Sequence, residues 1–259
     1  LTGTLHYQAP TRGPQAHSDF PARGAHFLVD NSQSSADEAG QYTVDPAPAT
    51  LSCFASSDLI NVFNAAGDPA SLAFTPQDGA DVVWSLADDE QGDAQLSGFV
   101  HASIAKATAR EIDPTMKFLD DTLQVRVNQQ DDNYVCNAFW NGVTLNFFVK
   151  YQICNNTARV ADVIYHEFGH AFHTHTALAS VGDYDPALGE GGADYFATAV
   201  TSDPVIAPGF YTNDTYLREI DSDRRWPDDI SWDPHETGLI FAGAMWDLRA
   251  LLEQEMGPD

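Results

Sequence analysis

The sequence predicts an α+β fold, in which a small N-terminal β-sandwich precedes a domain that carries most of the helices. Short alternating apolar runs, separated by Gly, Pro, Ser and Thr, fill the first part of the chain. Helical periodicity begins after an acidic, turn-like stretch at residues 88–93. The length of 259 residues fits about two domains, with one large domain as the alternative. We therefore predict domains at residues 1–90 and 91–259.

The predicted sandwich consists of short strands bounded by turn residues. The runs with this pattern are LTGTLHY, GAHFLVD, GQYTVD and ATLSCFA, and ADVVWSLA adds another strand. Strands at this spacing are typical of a small sandwich.

The second domain is predicted to open with a long helix and continue into strands. Leu96, Phe99 and Val100 begin an apolar stripe at helical spacing, with Asp93 as the predicted cap and Pro114 just past the end. TLQVRVN then reads as a strand. YVCNAFWNGVTLNFFV predicts two more strands, joined at an Asn-Gly turn.

Three further helices are predicted toward the C-terminus. The first covers NNTARVADVIYHEFGHAFHTH, and Asn156 or Thr157 can cap it. The second covers EGGADYFATAV. The third runs from about Glu236 through TGLIFAGAMWDLRALLEQE.

The net charge of −26, from 38 acidic and 12 basic residues, limits the possible partners. Such a surface repels nucleic acid and anionic membranes. It fits a saline or extracellular setting, carboxylate clusters that hold calcium, or solubility alone. No apolar run is long enough to span a bilayer. LTGTLHYQAP has no signal-peptide pattern, which fits a cytoplasmic chain or a mature form without its leader.

The three cysteines leave two alternatives open. None of them forms a CxxC pair, which argues against a cysteine zinc site. Cys136 and Cys154 flank the predicted hairpin and can form a bridge, which would indicate an oxidising compartment and leave Cys53 unpaired. The other alternative is three buried thiols.

Residues 162–176, DVIYHEFGHAFHTHT, contain the pattern HExxH on a predicted helix. His166 and His170 lie four residues apart, which places both imidazoles on one helix face, as a tetrahedral zinc requires. Glu167 lies beside the first histidine, where a carboxylate can take a proton from a bound water. The alternative is a set of histidines that are packed or solvated on a helix.

A catalytic zinc needs a third protein ligand, for which the sequence offers two candidates. His173 lies on roughly the same face as His170. Glu190, predicted at the start of the next helix, is the favoured candidate because an anion suits a helix N-terminus. Asp194, one turn later, is then expected to orient a ligating imidazole. His173 and His175 are expected to face solvent or to lie beside the ligands.

Three segments together resemble the thermolysin-like gluzincin metallopeptidases, which include fungalysin-related enzymes. The first is HExxH followed after 19 residues by Glu190, with Asp194 four residues later. The second, NAFWNG at 137–142, resembles the family's substrate-binding edge strand. The third, DPHETG at 233–238, resembles its histidine segment, with Thr237 where serine is usual. The resemblance covers roughly residues 95–259 and implies a zincin-type catalytic domain.

The resemblance also implies roles for individual residues. Zinc would be bound by His166, His170 and Glu190. Glu167 would be the general base.

The remaining implied roles concern the substrate. His235 would stabilise the oxyanion, oriented by Asp233 or Asp229. Asn137 and Ala138 would hold the substrate backbone.

Several features depart from the family pattern. Tyr184, the nearest match to a second oxyanion donor, lies a few residues late. The family's arginine near the substrate pocket has three possible counterparts, which are Arg218, Arg224 and Arg225. The N-terminal region resembles a transthyretin or carboxypeptidase-regulatory sandwich.

The sequence therefore predicts a secreted or periplasmic zinc metalloendopeptidase. Protein or peptide substrates, a monomeric state and the absence of nucleic-acid partners are expected, with zinc as the cofactor and calcium as a second candidate cation. One alternative is a non-catalytic extracellular binding or adhesion protein with a structural zinc. The other is a zinc hydrolase that acts on a non-peptide bond.

Overall fold

The computed structural model describes residues 1–30, 32–45, 50–176 and 185–257. Its first part is rich in strands, which confirms the predicted α+β class. The strands before the first α-helix are β1 (Thr2–Pro10), β2 (His17–Pro21), β3 (His26–Val29), β4 (Ser32–Ser35), β5 (Gln41–Thr43), β6 (Leu51–Phe54), β7 (Ile60–Asn64), β8 (Ser71–Phe74) and β9 (Ala80–Trp84).

Two four-stranded sheets account for eight of these strands. One has β1 between β2 and β5, both antiparallel to it, with β9 pairing parallel to β1. The other has the antiparallel order β4-β3-β6-β8. Alternation in β1 buries Leu5, Tyr7 and Ala9 on one face, as expected for a strand that covers a core.

The remaining strand, β7, joins a third sheet in the second half of the chain. The later strands are β10 (Leu123–Gln129), β11 (Ala138–Trp140), β12 (Thr144–Phe148), β13 (Val205–Ile206) and β14 (Arg218–Glu219). The third sheet has the order β11-β12-β10-β7, parallel except for the antiparallel edge strand β11. Pairing of β7 with β10 crosses the boundary predicted at residue 90. The division into domains 1–90 and 91–259 stays a prediction.

The first helix, α1 (Glu90–Ile112), starts earlier than predicted. Asp89 is its N-cap and accepts a hydrogen bond from the backbone N–H of Gln91. The predicted cap, Asp93, was wrong: it lies within the helix, fully buried against Arg159 and His17. A cap four residues upstream leaves Asp93 free to make these tertiary ion pairs.

The three later helices are α2 (Ala161–Thr176), α3 (Pro186–Thr201) and α4 (Pro234–Met256). The predicted cap of α2, Asn156 or Thr157, was wrong: Asn156 caps a separate 3-10 helix, Thr157–Arg159, and α2 begins only at Ala161. The predicted position of Glu190 at the start of its helix was wrong. Asp185 caps α3 and proline follows it, so Glu190 lies one turn further in.

The buried core continues from the strand-rich part into the helical part. Tyr7 of β1 packs edge-on against Trp84 and contacts Phe99 of α1. Val125 and Phe168 belong to the same apolar cluster, so the helices of the second half are supported by strands from both halves. No helix within the described ranges combines the length and apolar content of a bilayer span.

Candidate metal centre

Helix α2 carries His166, Glu167 and His170 on a firmly packed body. Phe168, on the opposite side, is fully buried and packs against Phe118 and Phe196. Because residues four apart share a helix face, burial of Phe168 directs the two histidines together toward the facing side. The packing thus fixes the rotation of the helix about its axis.

Glu190 and Asp194 of helix α3 lie beside the two histidines because α3 packs very close to α2. A Cβ atom added to Gly169 would lie 2.8 Å from Cα of Ala193. Gly169 lies between the two histidines, and Ala193 lies between the two carboxylates. The absence of a side chain at Gly169 therefore permits the short distance between the ligand-bearing helices.

The structure brings the three predicted ligands together. Oε2 of Glu190 lies 3.2 Å from Nε2 of His166 and 3.4 Å from Nε2 of His170, and the two histidine nitrogens are 3.1 Å apart. One ligand atom from each residue lies within 4.8 Å of the others, so this group could hold a metal ion. Two imidazoles and one carboxylate form a donor set that suits zinc.

The hydrogen bonding of Glu190 tests whether a cation fits this group. Its Oε2 atom is buried and accepts no hydrogen bond of acceptable geometry, although imidazole nitrogens surround it. Burial would raise the pKa of Glu190, but the imidazoles of His166 and His170 lower it well below its usual range. A buried, ionised oxygen that faces several imidazole nitrogens without a well-aligned hydrogen bond is the chemistry expected of a metal ligand. The residues fit the metal.

Asp194 anchors the first histidine. Its Oδ1 lies 2.8 Å from Nδ1 of His166, and both of its oxygens accept from the guanidinium of Arg218 at 2.7 Å. Burial would raise the pKa of Asp194, but Arg218 and His166 lower it to about 2. Asp194 is therefore ionised at neutral pH, and its hydrogen bond fixes the ring orientation of His166.

The same carboxylate governs the protonation of His166. Burial would lower the pKa of His166, but Asp194 and Glu190 raise it to about 10. A metal ligand must be a neutral imidazole on the ligating nitrogen, so a cation competes with a proton for this site.

Glu167 is buried beside the ligands, and its position is fixed by the edge strand. Its Oε2 accepts a hydrogen bond of 2.9 Å from the backbone N–H of Trp140 in β11. Burial raises the pKa of Glu167, and the adjacent His166 and His170 oppose part of that shift. The arrangement suits a carboxylate that gains and loses a proton.

His235 lies at the start of α4 and faces the same group, so α4 contributes to the site together with α2 and α3. Its Nε2 lies 3.2 Å from Oε2 of Glu190, and its Nδ1 lies 3.1 Å from Oδ1 of Asp233. Asp233 also caps α4. Of the two carboxylates predicted to orient His235, Asp233 contacts the ring, whereas Asp229 accepts from the backbone N–H of Arg225.

A cleft of about 420 Å³ lies beside these residues. Asn137 and Ala138 line it, as do Val163, Ile206 and Leu217. The carbonyl of Asn137 accepts a hydrogen bond from the hydroxyl of Thr157.

A disulfide bond fixes one wall of this cleft. Cys136 and Cys154 are bonded, with their Cα atoms 5.6 Å apart, which supports the alternative of a disulfide over that of three free thiols. Cys53 is free and buried. The bond holds the segment just before β11.

The structure also assigns positions to residues that the sequence left open. Among the three candidate arginines, Arg218 reaches the site, whereas Arg224 pairs with Glu236. His175 stacks on Phe118 and is not part of the candidate ligand group. Tyr184 falls outside the described residues.

Sequence reasoning missed two contacts of the site. One is the Trp140 N–H bond to Glu167, and the other is the Arg218 pair with Asp194. No local sequence signal identifies either, because each joins segments more than 20 residues apart.

The chain was compared with protein-family models, curated proteins and solved structures. No protein-family model and no curated protein matches the chain. Among solved structures, the chain is similar to the precursor of protealysin, a metalloproteinase from Serratia proteamaculans, with a TM-score of 0.53 and 15% identity. The match covers 78% of this chain and 74% of that one. At this identity the likeness concerns the fold alone, and the chain thus has a metalloproteinase-like α+β fold.

Proposed function

We propose that this protein is a zinc-dependent endopeptidase. One observation carries the proposal: His166, His170 and Glu190 converge on one point, and the buried carboxylate of Glu167 lies beside it. The metalloproteinase-like fold supports the peptidase class. Bound at these three residues, zinc would acidify a water molecule and polarise a carbonyl group.

Glu167 is the proposed general base. Its carboxylate takes a proton from the water whose oxygen attacks the scissile carbonyl carbon. It later gives this proton to the leaving amine nitrogen as the C–N bond breaks. The hydrogen bond from Trp140 N–H holds one carboxylate oxygen, which leaves the other for proton transfer.

His235 is the proposed donor to the developing oxyanion. Asp233 accepts at Nδ1, which places a donor hydrogen on that atom and, when the ring is protonated, a second one on Nε2. Nε2 then donates to the carbonyl oxygen as negative charge grows on it.

The edge strand β11 is the proposed substrate platform. Among the described strands it pairs only with β12, so the groups of its other edge, apart from the Trp140 N–H that donates to Glu167, can pair with an extended peptide through backbone hydrogen bonds. Asn137 and Ala138 lie where β11 begins and line the cleft. Pairing along a strand favours cleavage within a chain over recognition of its end.

We also propose an extracytoplasmic location, because the Cys136–Cys154 bond requires an oxidising compartment. Protein or peptide substrates and a monomeric state belong to the same proposal, and calcium remains a candidate second cation because of the acidic composition.

Casein hydrolysis by zinc-loaded wild type and Glu167→Gln tests the proposed function. The variant is isosteric but cannot accept a proton, so we expect kcat/KM to fall by roughly 10²–10⁴-fold. Both proteins should retain one equivalent of zinc, and a chelator should abolish wild-type activity. A wild type that holds one zinc yet cleaves no protein would refute the proposal and favour the structural-zinc alternative.

A further inference from the structure

A second cavity, of about 660 Å³, lies between the strand-rich part and α1. It shares no lining residue with the metal-centre cleft. One wall is a face of α1 that includes Lys106, Ala107 and Arg110. The other walls come from the β2–β3 turn, at Arg23, and from the turn before β7, at Leu59. Its volume is typical of a small-molecule site.

Lys106 is the unusual residue in this cavity because it is buried without a carboxylate partner. It is 4% exposed. Its ammonium group donates to the carbonyls of Leu59 and Asp121, which uses two of its three N–H bonds. Among the described residues, no carboxylate lies within ion-pair distance of its nitrogen, and Asp121 and Asp120 favour its charge only from further away. Burial lowers the pKa of Lys106 to about 8, so it remains mostly charged at neutral pH.

Charge is distributed unevenly between the depth and the rim of the cavity. Arg110 lies near Lys106 and is paired with Asp120. The acidic lining residues are Glu38, Asp58 and Glu111, all of them exposed, and Glu38 pairs with Arg23 at the same rim. The unpaired positive charge is therefore deep, and the negative charges are at the solvent boundary.

We propose that this cavity binds a small apolar monocarboxylate. The carboxylate accepts the remaining N–H of Lys106, which supplies the missing charged partner of a buried ammonium group. The apolar part of the ligand lies against Leu59, Ala107 and Leu119. The acidic rim disfavours a ligand with a second negative charge. This inference does not depend on the proposed peptidase function.

Lysine-selective NMR tests the proposal, because the chain has only three lysines, Lys106, Lys117 and Lys150. With ¹³Cε-labelled lysine, 4-phenylbutyrate should shift the Lys106 signal in a saturable manner, and its neutral amide should not. N-acetyl-leucine is a parallel arm, which distinguishes a peptide-type carboxylate from a simple acid. The proposal is overturned if neither acid saturates the shift of the Lys106 signal by 10 mM. It is also overturned if 4-phenylbutyrate and its amide bind equally well.

Two variants and one control sharpen the test. Lys106→Met should weaken 4-phenylbutyrate binding at least tenfold, whereas Lys150→Met, at an exposed lysine, should leave it unchanged. Ala107→Trp fills the cavity without removing the ammonium group and should abolish binding. If Lys106→Met does not fold, Ala107→Trp decides: unchanged binding in that folded variant places the ligand elsewhere and overturns the proposal.

Discussion

Asp194 and Asp93 are both fully buried, and each is held by one arginine and one histidine. Asp194 lies on α3 beside the metal ligands. Asp93 lies on α1 and joins that helix to the β1–β2 hairpin and to Arg159, just before α2. The same three residue types thus serve a candidate metal centre in one region and a structural connection in the other.

The two clusters differ in electrostatics and in what surrounds the histidine. Arg218 contacts both oxygens of Asp194, and the pKa of Asp194 falls to about 2. Arg159 contacts one oxygen of Asp93, and burial raises the pKa of Asp93. Beyond its aspartate, His166 also meets His170 and Glu190. The comparison teaches that an Asp-His-Arg cluster has the geometry of a candidate metal centre only where further ligand atoms converge beside the histidine.

Substitution of Asp194 and of Asp93 by asparagine should separate the metal-site role from the structural role. Among the predicted stability changes, that of Asp194→Asn is the largest. Asp194→Asn leaves Arg218 buried without its counter-charge and should cost about 3–5 kcal/mol of unfolding free energy. It should also weaken zinc binding about 10–100-fold, because His166 loses its anionic anchor. Urea unfolding of the metal-free protein and competition with a zinc chelator measure the two effects.

Asp93→Asn is the matched control. Its stability loss should be smaller, because burial already disfavours the charged form of Asp93, and its zinc affinity should equal that of the wild type. Equal losses of zinc affinity in both variants would contradict the proposed difference between the clusters.

Substitutions at Gly191 and Gly192, which follow Glu190 in α3, test what sets the position of Glu190. A Cβ on Gly191 would lie 2.3 Å from the carbonyl oxygen of Gly238 in α4, whereas a Cβ on Gly192 meets nothing nearer than 4.0 Å. Gly191→Ala should cost about 1–3 kcal/mol through overpacking. It should also weaken zinc binding, because α3 must move away from α4.

Gly192→Ala provides the control on the same helix. It should stabilise the protein by about 0.5–1 kcal/mol, because alanine favours the helix over glycine. Chelator competition and urea unfolding again serve as measurements. A Gly191→Ala variant with wild-type zinc affinity would show that the α3–α4 contact does not set the position of Glu190.

His101 is a further buried histidine, to be compared with His166 and with the partly buried His17, and its hydrogen-bond partners are neutral groups. Its ring nitrogens lie 2.7 Å from the hydroxyl of Tyr165 and 2.8 Å from the carbonyl of Pro10. Burial lowers the pKa of His101 to about 4. The unfolded chain binds a proton at higher pH than the folded chain does, so stability present above about pH 6.5 is lost as the pH falls toward 4.

We expect His101 to contribute roughly 1–2 kcal/mol of destabilisation between pH 7 and pH 5. His101→Gln keeps one donor and one acceptor but does not titrate, so this part of the pH dependence should disappear. Urea unfolding at both pH values checks the difference. An unchanged pH dependence in the variant would show that another group accounts for the acid sensitivity.

The sequence by itself determined the local features of this protein. The four-residue spacing of His166 and His170 places them on one helix face whatever surrounds the helix, because the helical repeat is fixed. The Asn-Gly turn between β11 and β12 was likewise predictable, and Gly142 has a φ of 93°. All four helices and most strands were predicted from alternation, periodicity and caps, with errors at the starts of α1, α2 and α3. The strands β2, β4, β7, β8, β13 and β14 were not predicted from the sequence.

Only the tertiary structure decided which distant groups meet. Three contacts join segments that lie far apart in sequence: Arg159 with Asp93, Arg218 with Asp194, and strand β7 with β10. A fourth, between His235 and Asp233, was one of two that the sequence allowed, the other being with Asp229. Backbone preferences act over a few residues, whereas these contacts depend on how helices and sheets pack. Glu190 was predicted as the third ligand, but the close approach of α2 and α3 that brings it to the histidines depends on packing, because the absence of a side chain at Gly169 permits the short distance.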